Sequence, residues 1–127
     1  MFGGFWLIQI KLVGDIWSGK YQPALTGNRI VDTALLTQFC TKLMSWFSQQ
    51  NIQVNVKIEH DFSLSNATGN NTLYLIDSGI ANALSEDMLS KVNFLPIKHL
   101  DLLHGDPSSS YQSILERLKM NLKLQQS

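Results

Sequence analysis

Three histidines each stand close to a carboxylate in the chain: His60 beside Asp61, His99 two residues before Asp101, and His104 two residues before Asp106. Imidazole and carboxylate are the common partners in proton transfer and in metal binding. The spacing matches no ligand template, since no two histidines fall at i, i+4. Cys40 is the sole cysteine, which excludes an intramolecular disulfide and a cysteine-based zinc site. Surface or capping roles are expected for the histidines, and neither a metal nor a cofactor is expected. Asp77 is the carboxylate of most interest, because it directly follows the apolar run Leu73-Tyr74-Leu75-Ile76. Active groups of open α/β sheets gather at the carboxyl ends of strands, although Asp77-Ser78-Gly79 also reads as a plain turn. No GxSxG, Walker, GxGxxG or HExxH pattern occurs, and no spacing joins a nucleophile, a base and an anion-binding loop. The chain is therefore read as non-enzymatic.

The elements that must hold these groups follow from periodicity. Phe5 to Val13 places Trp6, Ile8, Ile10 and Leu12 on one face and Gln9 and Lys11 on the other, the pattern of a half-buried strand. Asp15 to Asn28, with Gly19, Pro23 and Gly27, has little periodicity and reads as a loop. Asp32 is expected to cap a helix from about Thr33 to Gln50. Its apolar stripe is Leu35, Leu36, Phe39, Cys40, Leu43, Trp46 and Phe47, which places Cys40 in the core as an inert thiol. Ile52, Val54, Val56 and Ile58 alternate with polar residues, as in an edge strand. Leu73 to Ile76 suits a central strand covered on both faces. The Asn66–Asn71 segment reads as an exposed connection, and Ser85 as the cap of a short helix reaching about Val92. Phe94 to Leu100 reads as a strand that Pro96 pushes to an edge. Asp106-Pro107 opens a last helix with Tyr111, Ile114, Leu115, Leu118 and Leu122 as its stripe.

This alternation argues for an α/β fold: a small three-layer sandwich with a mostly parallel sheet of about four or five strands and helices on both faces. The expected division is an N-terminal strand and linker over residues 1–27 and an α/β domain over 28–127. With 127 residues, 44% of them hydrophobic, the chain can bury a core without a metal or disulfide, and it is too apolar for disorder. Ten basic and ten acidic side chains cancel. That balance lacks the electrostatic footprint of nucleic-acid binding or of a basic membrane-surface protein. No apolar stretch reaches membrane-span length, the apolar start is interrupted by Gln9 and Lys11, and sequons at Asn66 and Asn70 matter only in a secreted protein. A cytoplasmic location is expected.

Certain stretches resemble a family. Leu73-Tyr74-Leu75-Ile76-Asp77-Ser78-Gly79 resembles the third strand of a response-regulator receiver domain, which ends in the aspartate that accepts a phosphoryl group. Asn93 to Asp101 is similar to the last receiver strand, where a lysine and a proline adjoin and an acidic-leucine segment opens the final helix. Asn28-Arg29-Ile30-Val31-Asp32 is similar to the first receiver strand with its acidic end. Gly3-Gly4-Phe5-Trp6-Leu7-Ile8-Gln9-Ile10 resembles the last strand of a histidine-kinase ATP-binding domain, which in hybrid sensor kinases precedes a linker and a receiver. There are departures. Asp32 lacks the adjacent acid that the family's magnesium site uses, Lys98 follows Pro96 where the family's lysine precedes a proline, and one strand-helix unit is missing.

The resemblance implies a degenerate, flavodoxin-like or receiver-like domain. It is expected to dock within or onto a sensor kinase without carrying phosphate, because phosphoryl transfer relies on a divalent ion. Its working surface is expected at the strand ends, around Asp77 as the phosphoacceptor-like position with Asp32 and Lys98, or on an apolar helix face. The partners implied are other domains of the same signalling protein or a separate protein, with no nucleic acid, no membrane contact and a homodimer as an option. Two other readings are open: an inactive sugar-phosphotransferase B-like regulatory domain, whose reactive cysteine Cys40 does not match in position, and a stand-alone small α/β protein that dimerises through its alternating strand or its aromatic N-terminal segment.

Overall fold

The computed structural model describes residues 8–16, 24–60, 62–63, 72–84 and 86–126. The expectations for Phe5 to Leu7, Asp61, Asn66 to Asn71 and Ser85, and for the side chain of Leu122, lie outside the described residues. In chain order the elements are β1 (Ile8–Val13), α1 (Arg29–Gln49), β2 (Val54–Ile58), β3 (Leu73–Asp77), α2 (Ser78–Ala83), α3 (Glu86–Leu89), β4 (Phe94–Ile97), α4 (His99–Leu103) and α5 (Tyr111–Gln126). A 3-10 turn over Ser108–Ser110 leads into α5.

The strands form one sheet in the order β2-β1-β3-β4, parallel at every pairing. The expected α/β fold with a parallel sheet of four or five strands is therefore present, with four strands described. β3 is buried at all five positions and lies inside the sheet, while β2 and the Pro96-bearing β4 lie at the edges, as their patterns required. β1 lies beside β3 in the middle, bonded to β2 on one flank and to β3 on the other. The sheet therefore runs through both segments of the division expected at residue 28.

Two hydrophobic clusters occupy the two faces. The larger joins Ile10, Leu12, Val56, Leu73, Leu75 and Ile97 to Leu36, Phe39, Leu43 and Phe47 of α1, Leu102 of α4, and Ile114 and Leu118 of α5. The smaller joins Val13, Tyr74 and Ile76 to Ile80 and Ala81 of α2 and to Leu89 and Val92. Phe39 and Phe47 are fully buried, and truncating either to alanine removes about 3–5 kcal/mol in such sites. The chain leaves β1 through α1 on one face to reach β2, and leaves β3 through α2 and α3 on the opposite face to reach β4. Because direction and face both reverse, the two crossovers share one hand, and the strand order turns between β1 and β3.

Three expectations need correction. The helix α1 starts four residues earlier than its expected start at Thr33. Its N-cap is Asn28, whose Oδ1 accepts from the amides of Ile30 and Val31, and Asp32 lies inside the helix. Residues Arg29 to Asp32 are thus helical and are not a first strand. The strand expected over Phe94 to Leu100 ends at Ile97, because His99 already opens α4. Among the described residues no helix is long and apolar enough to cross a membrane.

Candidate functional site

Each strand is followed within two residues by a histidine or an aspartate, and the parallel sheet brings all four to one edge. Asp15 follows β1, His60 follows β2, Asp77 is the last residue of β3, and His99 follows β4. His60 Nδ1 lies 2.6 Å from Asp15 Oδ1, and His99 Nδ1 lies 2.6 Å from Asp77 Oδ2. The central strands thus supply the carboxylates and the outer strands supply the imidazoles, on either side of the point where the strand order turns.

Asp15 is wholly buried and Asp77 is 3% exposed. A carboxylate only accepts, so Nδ1 of each ring donates, and in a neutral ring Nε2 keeps the lone pair. Burial would be costly for an unpaired carboxylate, and each is hydrogen-bonded. Asp77 Oδ1 also accepts from the amides of Gly79 at 2.7 Å and Ile80 at 3.3 Å, capping α2. Each oxygen of Asp77 therefore accepts at least one hydrogen bond. The turn reading of Asp77-Ser78-Gly79 needs correction: Asp77 ends β3 and caps α2, in whose first turn Ser78 and Gly79 lie, and the contact with His99 is added to that cap.

Asp32, like Asp15, is a fully buried carboxylate among the described residues. It accepts from the backbone of Leu25 and Thr26 and from the Thr26 hydroxyl, holding the segment before α1 against the helix's first turn. It therefore has a structural task next to the strand ends. Lys98 follows β4 directly and is exposed. The site residues expected from the sequence thus have different tasks: Asp77 is buried and bonded, Asp32 braces a loop, and Lys98, next in chain to the Ile97 that pairs with Asp77, is exposed.

Gly14 leaves room for the Leu36 side chain of α1 at this edge, beside Leu102 of α4. A Cβ there would lie 2.5 Å from Leu36 Cδ2 and 3.5 Å from Leu102 Cδ1. Since Leu36 sits at the level of the strand ends, the first turns of α1 rise beyond them. They carry Ile30, 84% exposed, and Leu100 at the start of α4 is 63% exposed.

For His99 the acid nearest in sequence, Asp101, is not the hydrogen-bonding partner. Asp101 accepts from the Ser109 hydroxyl, and Asp106 Oδ1 accepts from the Ser108 amide ahead of α5. That amide and the Ser108 hydroxyl hold the Asp106 carboxyl below its ordinary range. Burial pushes the Tyr111 phenol up, with Asp106 adding to it. Burial also pushes the Cys40 thiol up to about 12, which leaves it protonated and unreactive. Among the described residues no three His, Cys, Asp or Glu side chains gather so as to hold a metal ion. Asp15 and the long-range pairs were missed in the sequence. The signal available was positional: a histidine or an aspartate at or within two residues of every strand's end.

No protein-family model, curated protein or solved structure matches the chain.

Proposed function

We propose that this chain is a non-catalytic, cytoplasmic interaction domain of a signalling protein. It is receiver-like in its sheet and docks within or onto a sensor kinase without carrying phosphate on Asp77. The observation that carries this reading is the engagement of both Asp77 oxygens by His99, Gly79 and Ile80. An acyl phosphate on either oxygen would displace at least one of these donors, at about 1–3 kcal/mol for each buried group left without a partner. The docking part is supported by Ile30 and Leu100, two large apolar side chains held in water at the strand-end edge.

The test is titration of the protein with magnesium and beryllofluoride, a phosphoryl mimic, followed by amide NMR in wild type and in Asp77→Asn. The expected result is no saturable, magnesium-dependent shift in either. Saturable shifts around Asp77 in the wild type, lost in the variant, would make the domain a working receiver and end the proposal.

A further inference from the structure

The two outer strands of the sheet are finished differently. On β4, Tyr74 N donates to Asn93 O and Tyr74 is in register with Phe94, so Asn93, Leu95 and Ile97 bond β3 while Phe94 and Pro96 turn their backbone groups outward. Proline has no N–H to offer there. Arg117 Nη1 donates to the outward carbonyl of Phe94 at 2.6 Å. Both are devices that blunt a sheet edge.

On β2 the ladder fixes which groups face out. Ile8 N donates to Gln53 O and Glu59 N donates to Leu12 O, with Ile8 in register with Val54 and Leu12 with Ile58. Gln53, Asn55, Lys57 and Glu59 therefore bond β1, and Val54, Val56 and Ile58 direct their N–H and C=O groups away from the sheet. No described residue pairs with these groups. The Val54 and Ile58 side chains are only partly buried against the main core.

We propose that the β2 edge is a homodimer interface, with β2 of a second copy pairing antiparallel about a two-fold axis at Val56 to join two sheets into one. The strand is complementary to itself in this register. Val56 meets Val56, and Val54 meets Ile58, so every outward donor faces an outward acceptor and the apolar side chains continue the core face. On the other face Lys57 meets Asn55 of the second copy and Glu59 meets Gln53, so no like charges are opposed. The proposal is independent of what docks at the strand-end edge.

Sedimentation at rising concentration tests it. The wild type is expected to move from 14.3 kDa toward twice that mass. Val54→Pro removes an outward N–H at the first residue of the strand and leaves the β1 ladder intact, so it is expected to stay at the monomer mass, folded, with a thermal midpoint close to that of wild type at low concentration and independent of concentration. Amide exchange on the wild type gives a second readout that needs no variant. Val54, Val56 and Ile58 are expected to exchange at least tenfold more slowly at high concentration than at low, while Asn55 and Lys57 stay protected throughout. A wild type that remains at the monomer mass, a dimer that survives in a folded Val54→Pro protein, or outward amides whose exchange ignores concentration would each overturn the interface.

Discussion

Asp32 and Asn28 both satisfy backbone amides near the start of α1, and they differ in burial. Asn28 is exposed and Asp32 is fully buried. Replacing an exposed N-cap with alanine costs about 1 kcal/mol. Removing a buried carboxylate that accepts from two amides and a hydroxyl leaves donors unpaired, at about 1–3 kcal/mol for each one that water cannot reach. Urea denaturation is therefore expected to rank Asp32→Ala well below Asn28→Ala in stability. Cys40 gives a pH dependence of definite sign. Its folded thiol holds its proton up to about 12, while the unfolded thiol releases it near 9.0. The contribution is thus complete below the unfolded value and is lost as pH rises through this window, because the unfolded state then binds fewer protons. Urea midpoints of wild type measured on both sides of that window should fall more steeply with pH than those of Cys40→Ala.

At the scale of elements, the alternation in β1 and β2, the apolar run of β3, the proline of β4 and the stripe of α1 each expressed one local force: the burial of one face, or the loss of a ladder N–H. Those elements were legible for that reason. The start of α1 was not, because Asn28 and Asp32 are both capping types and the choice depends on Leu25 and Thr26 folding back onto Asp32. The site was legible only in Asp77. His60 is 45 residues from Asp15 and His99 is 22 from Asp77, so each pair exists only once strand order is known. Adjacent acids such as Asp61 and Asp101 suggested other partners, and nothing local in Gly14-Asp15 separates a strand-end carboxylate from a loop residue. The resemblance of Asn28 to Asp32 to a strand failed on the same ground, since Ile30 and Val31 suit a strand in composition while the Asn28 cap sets a helix.

At the scale of the molecule, β1 decides whether residues 28–127 are a unit. Without residues 8–13, β2 and β3 lose the strand to which both are bonded, and the core loses Ile10 and Leu12, each fully buried. The loss of these two side chains alone removes about 3–6 kcal/mol of burial, a large part of a small domain's stability. A 28–127 fragment is therefore expected to show neither a cooperative thermal transition nor dispersed amide resonances, whereas the full chain shows both. A fragment that folded cooperatively would mean that β2 and β3 can pair directly.

The same placement governs the order of events during synthesis. Of the four described strands β1 leaves the ribosome first, yet both of its sheet partners lie downstream, and neither flank can form a native bond until Val54 to Ile58 has emerged. For that interval its apolar face, Ile8, Ile10 and Leu12, has no native strand to pair with. α1 can form meanwhile from local contacts, so during that interval β1 waits for its partners while the helix beside it is already available.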